Sequence, residues 1–456
     1  MVHKSGQGTI NLVLHMPFIF IKFVVRIVSK EEFQLKDNKR YLKKALETYT
    51  HEEAIAEASR CLKCEDAPCA KACPAGINPL KYIKLILDRD FDGAADSLRR
   101  DCVIGGACAN VCPSNTLCER ACAKTGITEA IHIGRLEHFV SEHERANRVK
   151  AKEAEKTKEK VAVIGGGPAG LSAAGELARK GYQVTIFEGR EKAGGWLRYG
   201  IPPVRIPEEV VDSEVDYIKS LGVEIITNCK VGKDITIDEL KEKEYKAFII
   251  ATGLQKARKL RLQGADLEGV IGAVEYLAEV KPNKGNVDVG ENVVIIGSGD
   301  VGMDCATTPL LLGAKTATIL NRGSIKDVTA NPKELSFAQE LGANLICGFS
   351  PAEIIGKDGK VVGFKAVAAD GESYIYLKAD KVIFAVGQIP ENLKEVADIE
   401  LNDRGLVVID EKTGQSSIPY IFAAGDIARG PRTVTHAAGD GKLVADSVDK
   451  YLSSLR

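Results

Sequence analysis

The apolar positions along this chain follow two rhythms, and the change between them divides it. In the N-terminal third the pattern is helical, clearest in HEEAIAEASR (51–60) and IHIGRLEHFVSEHERA (131–146). From Val161 onward short β-branched runs are followed by glycine-rich turns, the rhythm of βαβ units. VAVIG (161–165), VTIFE (184–188), FII (248–250), VVIIG (293–297), TATIL (316–320) and KVIFAVG (381–387) predict parallel strands. Between the two regimes KAKEAEKTKEK (150–160) has no large apolar side chain and reads as a solvated linker. The segments beginning at Val161 and Val293 resemble each other, an internal duplication of a nucleotide-binding pattern. Residues 9–28 are apolar but broken by His15, Pro17, Lys22 and Arg26, short of the roughly 18 apolar residues a membrane span needs. A helix lying on a membrane surface is the alternative for this segment, to which no function is assigned.

Composition adds two constraints. With 62 Lys+Arg against 63 Asp+Glu the net charge is −1, which removes the electrostatic argument for nucleic-acid binding. Of twelve cysteines, nine lie between Cys61 and Cys122. A secreted disulfide scaffold is short and follows a signal peptide; in a long chain with no clear signal, this density reads as metal binding in a reducing compartment, the cytoplasm. The order is Cys61-x2-Cys64-x4-Cys69-x3-Cys73-Pro74, then Cys102, then Cys108-x3-Cys112-Pro113 and Cys118-x3-Cys122. Structural zinc takes four ligands in compact pairs, whereas Cys-Pro closing a cysteine run is a ferredoxin habit, so iron–sulfur clusters are expected over zinc.

Two glycine runs each follow a predicted strand. In Gly165-Gly166-Gly167-Pro168-Ala169-Gly170 the first glycine makes the turn, the next lets the backbone approach a pyrophosphate, and the last lets helix and strand pack closely. Glu188, ending the next strand, stands where an acid binds adenosine ribose. The second run is Gly297-Ser298-Gly299-Asp300-Val301-Gly302; here Asn321 occupies the acid's place and Arg322, which can accommodate a 2′-phosphate, follows it. The order along the chain suggests FAD first and NAD(P)H second.

RCLKCEDAPCAKACPAGINP, CANVCPSNTLCERAC and IHIGRLEHF resemble the N-terminal iron–sulfur domain of dihydropyrimidine dehydrogenases, also found in the small subunit of glutamate synthase. DAPCAKACPAG, GGWLRYGIPPVRIP, PKELSFAQELGANLICGFSP and IFAAGDIARGPRTVTHAAGDGKLVADSVDKYL extend the resemblance over residues 50–456, toward the flavin/iron–sulfur subunits of bacterial NAD(P)H-dependent dihydropyrimidine dehydrogenases. The resemblance implies two [4Fe–4S] clusters with crossed ligation. One would take Cys61, Cys64, Cys69 and Cys122; the other Cys73, Cys112, Cys118 and, from the I-x-I-G-x-L motif, Glu137. Cys102 and Cys108 are left over as buried small residues. It further implies flavin contacts from Gly195, Leu197, Arg198 and Arg205, a domain crossing at Gly253, a return at Gly387, and a closing FAD motif with Gly425, Asp426 and Thr433.

The expected fold is α/β: a helical N-terminal iron–sulfur domain followed by a flavoprotein with two dinucleotide-binding domains, the NAD(P)H domain inserted into the FAD domain. The expected boundaries are an extension over 1–35, the cluster domain over 36–150, the leading segment of the FAD domain over 151–285, the NAD(P)H domain over 286–385 and the closing segment of the FAD domain over 386–456. The expected function is electron input: NAD(P)H oxidation through FAD, with electrons leaving singly through the clusters to a separate catalytic subunit that reduces uracil or thymine. No general acid or base is assigned, and no length remains for a substrate domain. Alternatives are the small subunit of glutamate synthase, a ferredoxin:NAD(P)H oxidoreductase subunit, and a non-enzymatic metal- or flavin-binding interaction module. A disulfide reductase is disfavoured, because no cysteine follows the first glycine run until Cys229 and Cys305 has no close partner.

Overall fold

The computed structural model describes residues 38–147 and 154–456, with the backbone of three short strands, His3–Ser5, Thr9–Leu12 and Phe23–Arg26. Those strands form an antiparallel meander, so residues 9–28 are not one continuous helix. Residues 13–22 and the start of the 150–160 linker lie outside the described residues.

The cluster domain is built from α1 (His51–Ser59), α2 (Pro68–Lys71), α3 (Pro79–Leu87), α4 (Phe91–Asp101), α5 (Gly105–Val111) and α6 (Ile133–Asn147). Local chemistry fixes their starts. Thr50 and Glu53 form a capping box before α1, and Asn78 caps α3, with Pro79 at its first position. Short helices leave the cysteines on the connecting loops and helix ends, where backbone direction changes quickly enough to bring distant thiols together.

The flavoprotein half contains β1 (Lys160–Ile164), α7 (Pro168–Arg179), β2 (Gln183–Phe187), α8 (Glu208–Ser220), β3 (Glu224–Ile226) and β4 (Tyr245–Ile250). Then come β5 (Val270–Gly272), α9 (Ala273–Val280), β6 (Asn292–Ile296), α10 (Asp300–Leu311), β7 (Thr316–Asn321), β8 (Asn344–Cys347) and β9 (Lys381–Phe384). The chain closes with β10 (Ile421–Ala423) and α11 (Val434–Ser453). One parallel sheet has the order β10-β4-β1-β2-β3, the other β8-β7-β6-β9-β5. Their central strands are buried on both faces, which is why they read as unbroken β-branched runs. In each sheet the strand order reverses beside the strand that precedes a glycine run. The carboxyl end of that strand is the crevice where open α/β sheets bind ligands.

Two features depart from expectation. The boundary expected at 285/286 falls inside the second unit, because β5 and α9 already belong to the second sheet and its core. The crossing is a two-stranded ribbon, Lys256–Ala257 against Gln388–Ile389. A three-stranded antiparallel meander, Phe349–Lys357, Lys360–Ala368 and Tyr374–Lys378, packs on the second unit through Phe364 and Ile354. The cluster domain and first sheet share one continuous core. Arg99 pins that junction: buried, it donates to Glu144 in α6 and to both carboxylate oxygens of Glu214 in α8 at 2.6–2.9 Å.

Candidate functional site

The first glycine run turns at Gly165, whose φ of +107° and approach to the Ala251 carbonyl exclude a side chain. A Cβ on Gly170 would stand 2.0 Å from the Gly165 carbonyl oxygen, so α7 can start this close to β1 only with glycine there. Gly167 caps α7 without a side-chain acceptor, leaving the helix's first N–H groups free to meet an anion. They open on a cavity of about 390 Å³ lined by Gly165, Gly167, Pro168, Ala169, Glu188, Gly195, Gly253, Gly425, Asp426 and Thr433. Glu188 accepts from the Gly166 N–H at 2.9 Å and the Arg190 N–H at 2.8 Å; burial pushes its carboxyl up, and these bonds hold it partly back. Burial pushes Asp426 up to about 6, with the Arg432 N–H donating to it at 3.2 Å.

Three residues expected at the flavin do not line the first cavity. Leu197 is fully buried in a satellite core under α8. Arg198 is spent on the Ala193 carbonyl, Glu208 and Asp212. Arg205 donates to both oxygens of Asp304 at 2.9 and 3.1 Å and lies 3.2 Å from Glu334, in the second cavity. The quoted motifs do not disclose that the loop meets the carboxylates that α10 and helix Pro332–Glu340 bring to it. Lys281 fixes the same loop, its ammonium donating to the carbonyls of Leu197, Ile201 and Ile206.

The second cavity, of about 850 Å³, is lined by Ser298, Gly299, Asp300, Val301 and Gly387. Gly297 and Gly302 lie behind it, meeting each other as Gly165 and Gly170 do: a Cβ on Gly302 would stand 2.2 Å from the Gly297 oxygen. Arg322 is exposed and does not line it, and the Asn321 amide turns back to the carbonyls of Gly323 and Ser324. Trp196, Val301, Gln388, Thr433 and Val434 line both cavities, so the two are contiguous. The far wall of the second comes from the cluster domain, including Cys112, Pro113 and Asn115. Asn115 and Asn331 exchange side-chain hydrogen bonds of 3.2 and 2.9 Å across it. Sequence reasoning missed Asn115, Asp304, Asn331 and Glu334; only PKELS hinted at the last.

The cysteines fall into two groups. Cys61, Cys64, Cys69 and Cys122 line one small cavity, closed by Leu80, Ile83, Ile131 and Ile133. Cys73, Cys112 and Cys118 gather deeper, and Glu137 raises the pKa of each. Burial pushes Cys73 up to about 11 and Cys112 and Cys118 further; it pushes Glu137 up to about 8, with Glu119 adding to the rise. The Glu137 Oε1 is buried with no hydrogen-bond partner. Four acids crowded in a dry volume cannot all ionise without a positively charged core among them. An iron–sulfur core fits that donor set. Cys102 and Cys108 are buried beside each other and belong to neither group.

Comparison with known proteins bears on both halves. The family model for pyridine nucleotide-disulphide oxidoreductases matches residues 159–441, and that for dihydropyrimidine dehydrogenase domain II, 4Fe-4S cluster, matches residues 38–149. The chain is 40% identical over 414 residues to the NAD-dependent dihydropyrimidine dehydrogenase subunit PreT of Escherichia coli (strain K12), covering 90% of this chain and 97% of that one. It is 33% identical to the NADP(+)-dependent formate dehydrogenase subunit beta of Moorella thermoacetica, over 85% of this chain and 60% of that one. Among solved structures, FprA from Mycobacterium tuberculosis superposes with a TM-score of 0.55 at 21% identity, over 65% of this chain and 85% of that one.

Proposed function

The chain belongs to the pyridine nucleotide-disulphide oxidoreductase family, and from that premise we propose that it is the electron-input subunit of a two-protein pyrimidine reductase. It is an NAD(P)H-dependent oxidoreductase with FAD and 4Fe–4S centres. FAD held at the first glycine run would supply a centre able to take an electron pair from reduced nicotinamide and give electrons up singly, and 4Fe–4S clusters held by the cysteine groups would supply one-electron carriers.

The observation that carries this reading is contiguity. The cavity at the first glycine run joins the cavity at the second, and the latter is walled by the Cys112 loop. In this reading Gly165 to Gly170, Glu188 and Asp426 hold FAD, and Ser298 to Val301 hold the nicotinamide dinucleotide. Two clusters sit on the two cysteine groups, with Glu137 as the fourth ligand of the deeper one. The described residues offer no paired cysteine beside the flavin cavity; Cys229 lines it alone. That favours an exit for electrons through clusters over one through a dithiol.

The PreT name, a dihydropyrimidine dehydrogenase subunit, supports pyrimidine reduction shared with another subunit, and our reading places both in the cytoplasm. Among the described residues no helix is long and apolar enough to cross a membrane. Kinship with the formate dehydrogenase β subunit favours a second reading, the same module serving a different catalytic partner. Purified chain should oxidise NADH or NADPH with artificial acceptors and leave uracil and thymine untouched until a catalytic subunit is added. Unaided reduction of either pyrimidine would refute the two-protein reading. Turnover restored by a formate dehydrogenase catalytic subunit and not by a pyrimidine one would select the second.

A further inference from the structure

The deeper cysteine group receives two polar side chains that the proposed electron path leaves unused. Tyr82, on α3, is wholly buried, and its hydroxyl has no hydrogen-bond partner. The acidic groups around it are Glu137, Cys118 and Cys73 of the deeper group and Cys69 of the other, so the phenol stands between the two. Thr435, the second residue of α11, is 1% exposed and its hydroxyl is likewise unpartnered. It lies beside Cys112, where it favours the thiolate, while Thr433 and Val434 just before it line the flavin cavity. The close approach of α11 to this domain is built in: a Cβ on Gly439 would meet the Pro74 carbonyl at 2.1 Å.

Buried hydroxyls without partners are uncommon, because each forfeits its hydrogen bonds to water. Here the Tyr82 hydroxyl neighbours Cys73 and Cys118, the Thr435 hydroxyl neighbours Cys112, and neither they nor the Glu137 Oε1 is bonded to another. The cavity of the shallower group is closed mainly by Leu80, Ile83, Ile131 and Ile133, and of the unpartnered oxygens only that of Tyr82 neighbours one of its thiols, Cys69. Whatever fills the deeper volume must therefore accept hydrogen bonds from Tyr82 and Thr435. Thiolate and sulfide sulfurs do so, and hydrogen bonds to sulfur raise a cluster's reduction potential by stabilising the more negative reduced state.

We propose that Tyr82 and Thr435 donate hydrogen bonds to sulfurs of the deeper cluster, Tyr82 from the side facing the other cysteine group and Thr435 from the side of the flavin cavity, and so hold its potential above that of an otherwise identical centre. The proposal rests on the two-cluster reading. Both are positioning and tuning residues; neither is a ligand. Their placement gives the deeper cluster donors from both directions of electron traffic, whereas the shallower one is tuned by its apolar shell and by the Lys63 N–H, which donates to Cys61 at 3.5 Å.

The test is an EPR-monitored redox titration of the full-length chain carrying FAD and its clusters, with iron and acid-labile sulfide counted. Y82F and T435V should each lower the midpoint potential of one cluster, leave the other unchanged and keep the wild-type iron content; T435S should restore the wild-type value. Pulsed EPR after exchange into D2O should show an exchangeable proton coupled to the same cluster in the wild type and missing in Y82F. Unchanged potentials in both variants with two clusters present would overturn the proposal while sparing the cluster assignment. A single cluster per wild-type chain would overturn that assignment and the proposal with it. If T435V fails to assemble, Y82F decides alone, since it removes one oxygen and keeps the ring that packs there. Equal potentials in Y82F and wild type, with no lost proton, would then sink the idea.

Discussion

The two nucleotide halves are built to one plan and finished differently. Each has a β-branched central strand, a glycine turn with φ above +100° and a last glycine packed on the carbonyl of the first. The first half then closes around its cavity. Glu188 is tied to the backbone of the glycine loop, and Gly425 and Asp426 arrive from the end of the chain to complete the wall. The second half stays wider. Its acid position is Asn321, folded onto its own loop, and its far wall is lent by the cluster domain. A narrower cavity with an anchored acid suits a dinucleotide that remains bound; a wider one, walled in part by another domain, suits one that comes and goes.

The largest expected effect separates the halves directly. Gly170→Val places a side chain on a backbone oxygen and should abolish flavin binding, read as loss of the bound flavin absorbance. Gly302→Val makes the matching clash in the second half. It should leave flavin and clusters in place while NAD(P)H no longer bleaches the flavin. If Gly302→Val also loses FAD, the halves are not independent and the contrast fails.

Next comes Arg205. Resemblance put it at the flavin; the structure gives it to Asp304 and Glu334. Arg205→Met should strand the buried Asp304 carboxylate and the half-buried Glu334 and cost about 3–5 kcal/mol of stability, measured by urea unfolding. Protein that does fold should retain its flavin. Loss of flavin with unchanged stability would return Arg205 to the role the resemblance implied.

That contrast shows what the sequence could disclose. A glycine run after a β-branched strand records a local backbone requirement, and both runs sit where the pattern put them, at the carboxyl ends of β1 and β6. Glu188 was legible for the same reason, since its distance along the chain fixes the end of the next strand. Arg205 was not, because its partners come from α10 and from Glu334, roughly a hundred residues or more away in the chain. β5 is only three residues long, too short for a β-branched run to stand out between Gly269 and Gly272. The meander strand Tyr374–Lys378 exposes Tyr374 and Tyr376, so it offers the eye no continuous apolar run. The cysteine spacing announced iron–sulfur chemistry, but the unpartnered oxygens of Tyr82 and Thr435 belong to helices whose approach only the fold reveals.

A more modest effect tests the anchored acid. Glu188→Ala removes the acceptor of two backbone N–H groups and the group placed to bind ribose. Hydrogen bonds to a charged group contribute about 1.5–3 kcal/mol, so flavin retention should weaken roughly ten- to hundredfold, measured as the FAD concentration needed to reconstitute apoprotein. No change would mean that Glu188 shapes the loop without touching the flavin nucleotide.

The smallest effect lies at the matching position of the second half. Asn321 donates to the carbonyls of Gly323 and Ser324, a turn that an aspartate cannot make because it has no N–H to give. In Asn321→Asp the carboxylate is repelled by those carbonyls and should swing toward the dinucleotide, where it accepts from ribose hydroxyls and opposes a 2′-phosphate. The ratio of kcat/KM for NADH to that for NADPH should therefore rise several-fold, with flavin content unchanged. Arg322, exposed at the same turn, supplies the opposing charge, so Arg322→Ala should move the ratio in the same direction by removing attraction for the phosphate. If neither substitution moves the ratio, the adenosine end of the second dinucleotide does not reach this turn. The likeness between the halves then stops at their glycine loops.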